Sequence, residues 1–115
     1  MRAFTQRAVA IISSIPEGKV MTYGQIAALA GSPRGARQIV RILHSMSKKY
    51  KLPWHRVINA KGKIGLQDDV SFTLQKIHLE AEGVQVQDEG SIDLERFQYF
   101  PARQPEWSIE DWEMK

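Results

Sequence analysis

The sequence predicts a mainly α-helical domain with a small β wing, and three observations carry that reading. Apolar residues recur at helical spacing in several separate segments. Capping and stop signals punctuate those segments. One short run on either side of Lys61-Gly62 has the form of a tight hairpin. The chain has 115 residues, enough for one compact domain with one core. We place that domain over residues 1–100 and an acidic tail over residues 101–115.

Phe4, Ala8, Ile11, Ile12 and Ile15 predict an amphipathic first helix, which Pro16-Glu17-Gly18 ends in a turn. Thr22-Tyr23-Gly24-Gln25 is a capping box. The threonine hydroxyl can satisfy the amide three residues on, while the glutamine reaches back. A short helix through Ile26, Ala27, Leu29 and Ala30 follows, and Gly31-Ser32-Pro33 stops it. Pro33 can also start the next helix, which runs from about Arg34 to Met46. There Ala36, Ile39, Val40 and Leu43 form one apolar face. Arg34, Arg37, Arg41, His44 and Lys48 recur at steps of three and four on another. A short helix, a glycine turn and an arginine-faced helix read as a helix-turn-helix. Arg56 to Asn59 and Lys63 to Leu66 form the arms of the wing. A last helix over Ser71 to Glu82 is capped by Gly83, with Phe72, Leu74, Ile77, His78 and Ala81 expected inside. Ile92, Leu94, Phe97, Tyr99 and Phe100 are expected to pack back on the domain. Trp107 and Trp112 fall in the tail, expected to be irregular or loosely docked.

The net charge of +3 hides a strong asymmetry. Residues 1–67 hold 12 Lys and Arg against the single acid Glu17, whereas residues 68–115 hold 4 against 12 acids. A polyanion-binding front and two solvated patches that neutralise one another in the fold both fit that split. An arginine stripe is usually a solvated face, but no carboxylate lies between Arg34 and Arg56 in sequence to pair with this one. That favours phosphate contact. The chain contains no cysteine, which excludes disulfides, thiolate nucleophiles and cysteine-ligated zinc. No apolar run is long enough to cross a bilayer, and the N-terminus lacks the pattern of a signal peptide. We expect a cytoplasmic protein, nucleoid-associated if bacterial, with no cofactor, no metal and no membrane partner, and a monomer.

The motifs carry a resemblance. Residues 15–27, from Ile15-Pro16-Glu17-Gly18 to Gln25-Ile26-Ala27, resemble the start of the DNA-binding domain of the O6-alkylguanine-DNA alkyltransferases. Gly35-Ala36-Arg37 is similar to the family's recognition helix, and Glu82-Gly83 to its terminal Glu-Gly. Pro53-Trp54-His55-Arg56-Val57-Ile58 is similar to the active-site motif Pro-Cys-His-Arg-Val, with Trp54 where the acceptor cysteine stands. The subgroup with that replacement is the alkyltransferase-like proteins. The resemblance implies the C-terminal-type winged helix-turn-helix fold. The family's chemistry moves an alkyl group from guanine O6 to a thiolate that His and Glu help to form. Here His55 and Glu82 have no sulfur to activate, and indole N–H only donates. They are expected to remain as a vestigial hydrogen-bond pair, direct or through water.

Recognition without transfer is therefore implied. The protein would bind O6-alkylguanine in duplex DNA, extrude the base and mark it for nucleotide-excision repair proteins. Arg37 is implied to fill the gap in the stack, and Tyr23 to crowd the phosphate beside the target. The lesion pocket is implied at Tyr23, Trp54, Val57, Ile64 and Ser71. DNA contacts are implied at Thr22, Arg34, Gly35, Ala36, Arg37, Gln38 and Arg41, with Gly35 and Ala36 allowing close approach to the minor groove. The sequence departs from the family at Met46-Ser47, and again at Gln67-Asp68-Asp69-Val70-Ser71. The second departure is expected to make one side of the pocket more acidic. Two other readings stay open. One is a winged-helix regulator that recognises sequence and not damage. The other is a hydrolase using His55, which no Ser-His-Asp or metal-ligand spacing supports.

Overall fold

The computed structural model describes residues 2–101 of the chain. The elements in order are α1 (Ala3–Ser13), β1 (Met21–Thr22), α2 (Tyr23–Leu29), α3 (Ala36–Tyr50), a 3₁₀ turn (Trp54–Arg56), β2 (Val57–Ile58), α4 (Asp69–Ala81) and α5 (Leu94–Phe97). The tail residues Trp107 and Trp112 lie outside the described residues.

The helix-turn-helix forms as its local signals predict. The Thr22 hydroxyl accepts from Gln25 N at 3.1 Å, and Gln25 Oε1 accepts from Thr22 N at 3.3 Å. Both halves of the capping box are therefore made. Gly31, at φ +104°, ends α2. Pro33 and Arg34 belong to the turn and not to a helix, because Gly35 caps α3. Helix α3 then runs to Tyr50 and stops at Lys51 in the left-handed region, φ +54°. Its buried line is Ile39 and Ile42, with Leu43 and Met46 packed at the edge. Val40 is not on that line; it is 46% exposed. The helix is rotated so that Val40 and Leu43 wall a cavity instead.

The expected wing is replaced by a different pairing. A tight turn does form at Asn59–Lys63, with Asn59 N donating to Lys63 O, Gly62 N to Asn59 O, and Asn59 Oδ1 accepting from Lys61 N and Lys63 N. Its two arms diverge. Strand β2 pairs in parallel with β1, Met21 opposite Val57 and Thr22 opposite Ile58. The other arm pairs with the chain near Ser91: Ile64 N donates to Gly90 O and Ile92 N to Gly62 O. The reason lies in burial. A solvent-facing ribbon would bury alternate residues, but Val57 and Ile58 are 1% and 0% exposed. Met21 and Val57 face one core cluster, with α1, α2 and α3. Val20 and Ile58 face a second, with Ile64, Leu79, Val84, Ile92 and Phe97. The strand pair is the partition between the two clusters.

Helix α4 starts at Asp69, two residues before the expected start, because the Asp68 carboxylate caps Ser71 N at 2.9 Å. Its buried residues are Gln75 and Leu79, with Phe72 packed beside them. Leu74, Ile77, His78 and Ala81, expected inside, are exposed. Hydrophobic spacing favoured the wrong face because the interior here needs a donor. Gln75 Nε2 donates to His55 O at 3.0 Å and to Val57 O at 2.9 Å, which ties α4 to the segment that carries Trp54. Gly83, at φ +91°, closes α4 as expected. Of the last apolar group, Ile92 and Phe97 are buried and Leu94 and Tyr99 pack on the domain, whereas Phe100 is exposed. Val20 N donates to Phe97 O and Tyr99 N to Val20 O, which fixes that return to the core.

Gly35 acts inward. A Cβ there would meet Phe4 Cζ at 3.0 Å and Ser32 O at 3.1 Å. Its smallness thus lets α1 close over the helix-turn-helix, and it is buried where a groove contact was expected. Gly35→Ala should destabilise the domain by roughly 1–3 kcal/mol, the scale of local overpacking. Nothing lies within 4 Å of a Cβ at Gly24. Gly24→Ala should therefore be neutral or stabilise by up to about 1 kcal/mol. Urea unfolding of the two variants beside the parent checks the contrast.

Candidate nucleic-acid interface

Helix α3 displays its cations to solvent. Arg37, Gln38, Arg41, His44 and Lys48 are exposed along it, and Arg34 is exposed in the turn before it. Among the described residues, no ion pair engages Arg34, Arg37, Arg41 or Lys48. No side chain caps Gly35, so the positive end of the helix dipole adds to Arg34 and Arg37. Ala36 is half-buried at that end.

Beside this surface lies a cavity of about 1120 Å³. Tyr23 contributes from the start of α2, Trp54 and His55 from the 3₁₀ turn, and Ser71, Leu74 and His78 from α4. His44, Lys48 and Lys51 form the wall toward α3. Among the described residues, no aspartate or glutamate lines it. The expected acidic side is therefore not there, because Asp68 is turned to the helix cap. Val57 and Ile64 do not line the cavity either; each is held in a core cluster by the strand partition. Thr22 is 7% exposed and its hydroxyl is used in the capping box. It positions Tyr23 and does not face outward as a DNA contact. Burial raises the pKa of Tyr23, so the phenol stays neutral and keeps its proton to donate.

Behind the cavity, Glu82 ties three segments together. Its carboxylate accepts from His55 Nε2 at 2.7 Å, from Arg56 Nη2 at 2.7 Å and Nε at 3.0 Å, and from Gly18 N at 3.1 Å. Arg56 Nη1 also donates to Ile15 O at 2.8 Å. Burial alone would raise the pKa of Glu82. The hydrogen bonds from Arg56, His55 and Gly18 outweigh that and bring it from 4.5 to about 2. An ionised carboxylate only accepts, so His55 Nε2 must carry its proton. The pair expected at His55 and Glu82 is direct. Sequence reasoning gave Arg56 no role and placed His78 inside. His78 instead stands edge-on to Trp54, with ring centroids 6.0 Å apart, and 5.2 Å from the ring of His55. No spacing signal pointed to it, since its position follows from the rotation of α4.

A helix-turn-helix whose second helix carries cations without ion-pair partners, set against a cavity without carboxylates among the described residues, has the form of a DNA-binding domain with a pocket beside its cationic face. The DNA-binding domain of 6-O-methylguanine DNA methyltransferase matches residues 3–84, and the chain belongs to that family. It is 46% identical over 97 residues to the DNA base-flipping protein of Escherichia coli strain K12, covering 84% of this chain and 74% of that one. It is 39% identical over 87 residues to alkyltransferase-like protein 1 of Schizosaccharomyces pombe, covering 75% and 81%. The solved structure of S. pombe Atl1 with damaged DNA containing O6-carboxymethylguanine superposes with a TM-score of 0.79 at 35% identity, over 88% of this chain and 100% of that one. No helix of the described residues is long and apolar enough to cross a membrane.

Glu82→Gln should destabilise the fold by roughly 3 kcal/mol, the low end for breaking a buried ion pair. The depressed pKa also sets a pH window. The contribution of Glu82 is fully present above pH 4.5 and is lost as pH falls toward 2. Thermal melts across that range should show a steeper loss in the parent than in Glu82→Gln.

Proposed function

We propose that this protein is a non-enzymatic sensor of alkylated DNA. It binds O6-alkylguanine in a duplex, turns the damaged base out of the stack and holds it without taking the alkyl group. The observation that carries the reading is a cationic helix without ion-pair partners among the described residues beside a cavity lined by Trp54, the residue that the resemblance sets in the acceptor's place. The relatives support it: one is described as a base-flipping protein and another was solved on DNA carrying an O6-alkylated guanine.

The division of labour follows from exposure and chemistry. Arg37, near the start of α3 and fully outward, enters the stack where the base leaves. Tyr23 sits at the cavity edge and presses on the backbone of the extruded nucleotide. Trp54 packs on the base or its alkyl group with a flat apolar face. Arg34, Gln38 and Arg41 hold phosphates. O6-alkylguanine pairs poorly, so its extrusion costs less than that of guanine and damage is selected partly by that difference. A lesion held but not repaired needs a second activity to remove it. Hand-off to nucleotide-excision repair proteins is the step we assign next.

The deciding measurement is a competition at fixed salt between duplexes carrying O6-methylguanine and guanine. Lesion preference across several flanking sequences is the expected result. Equal binding, with preference instead for one flanking sequence, would indicate a sequence-specific regulator. The protein mass should be unchanged after incubation with the lesion duplex, since no side chain here accepts the methyl group. Arg37→Ala should weaken lesion binding by about tenfold, the scale of one charge-assisted contact. It should also reduce the signal of a fluorescent base analogue at the target. Arg41→Ala should weaken lesion and normal DNA alike and lower the salt slope by about one contact.

A further inference from the structure

We infer that His78 is a specificity-determining residue of the lesion pocket, selecting O6 adducts that end in a carboxylate over neutral adducts. The inference rests on the proposed recognition of O6-alkylguanine and names the adduct class that this pocket favours.

Two imidazoles flank Trp54, and they are in opposite situations. His55 is held by Glu82 at 2.7 Å and is only 14% exposed at its side chain. Its Nε2 proton is committed. His78 is exposed, lines the cavity, and has neither ring nitrogen hydrogen-bonded among the described residues. It lies 6.0 Å from the Trp54 ring, nearly perpendicular at 81°. Trp54 holds the position at which the related enzymes meet the alkyl group, so a side chain standing over its edge stands beside the adduct. A ring there with a free N–H donates to whatever acceptor the adduct carries.

The surroundings set the sign of the selection. The other charged and titratable groups on the cavity wall are Tyr23 from α2, His44, Lys48, Tyr50 and Lys51 from α3 and its end, and His55 and Arg56 from the 3₁₀ turn. Among the described residues none is a carboxylate. Glu82, one turn beyond His78 on the C-terminal side of α4, is the nearby carboxylate. It is already neutralised by Arg56 and His55. Among the described residues on the wall an adduct carboxylate therefore meets donors and cations and no carboxylate, and its hydrogen bond from an imidazole is charge-assisted. A methyl adduct gains nothing from the same group. The cavity runs on from Trp54 and His78 to His44, Lys48 and Lys51, which leaves room for a longer adduct.

The test measures affinities of the full chain for three otherwise identical duplexes, carrying guanine, O6-methylguanine or O6-carboxymethylguanine. The proteins are the parent, His78→Ala and His78→Gln. The parent should bind the carboxymethyl duplex more tightly than the methyl duplex. In His78→Ala the carboxymethyl affinity should fall by about tenfold, the scale of a charge-assisted hydrogen bond. The methyl affinity should change by less than about twofold, well under the worth of one contact. His78→Gln keeps an N–H donor on a differently shaped side chain and should fall between. An equal loss on both adducts would make His78 a packing support for Trp54 and overturn the proposal, as would unchanged affinities. Lesion binding by the parent with no advantage for carboxymethyl would overturn the selection alone. Equal binding of all three duplexes by the parent would overturn the lesion reading and this inference together.

Discussion

Glu82 draws together the loop after α1, the 3₁₀ turn beneath Trp54 and the end of α4. It does so by accepting from Gly18 N, His55 and Arg56 at once. Arg56 extends the link to Ile15 O. The groups are mostly removed from water, with the Glu82 and Arg56 side chains 10% and 17% exposed. Each charge is therefore tolerable only because the others are there. Everything at the pocket hangs from this junction. It fixes the turn that carries Trp54 and His55, and it anchors the end of α4, whose rotation Gln75 sets.

The same junction explains how the charge asymmetry of the chain is used. Glu82 crosses from the acidic half to neutralise Arg56 in the basic half, behind the cavity. The cations of α3 are left without carboxylate partners among the described residues, on the face beside the cavity. Charge pairing is thus spent where it holds the fold and withheld on the face proposed to meet DNA. In a relative that transfers alkyl groups, a His–Glu pair serves a thiolate. In this chain the pair has a structural task that does not depend on sulfur.

What could be read from the linear chain was local. The capping box at Thr22, the stop at Gly31 and the cap at Gly83 depend on neighbours within four residues, and each forms. The basic stripe of α3 follows from its period alone. The absence of cysteine decides against alkyl transfer by composition alone. Where the linear reading failed, a distant partner had intervened. The hairpin expected at Arg56 to Leu66 gave way because Val57 and Ile58 are both buried and pair with Met21 and Thr22. Gln75 moved inward to satisfy two carbonyls of another segment, and Leu74, Ile77 and His78 were turned outward with it.

The sequence by itself determined the class of domain, the exposed cationic face of α3 and the absence of a cysteine acceptor. Short-range hydrogen bonds, helical period and residue chemistry suffice for those. The tertiary structure alone decided which residues wall the cavity. It replaced Val57 and Ile64 with His78 and Leu74, and it gave Gly35 to the packing of Phe4. Those assignments depend on how buried polar groups find partners across more than 15 residues of chain, as Gln75 does with His55 and Val57 and Glu82 with Arg56. No periodicity in one segment encodes the needs of another.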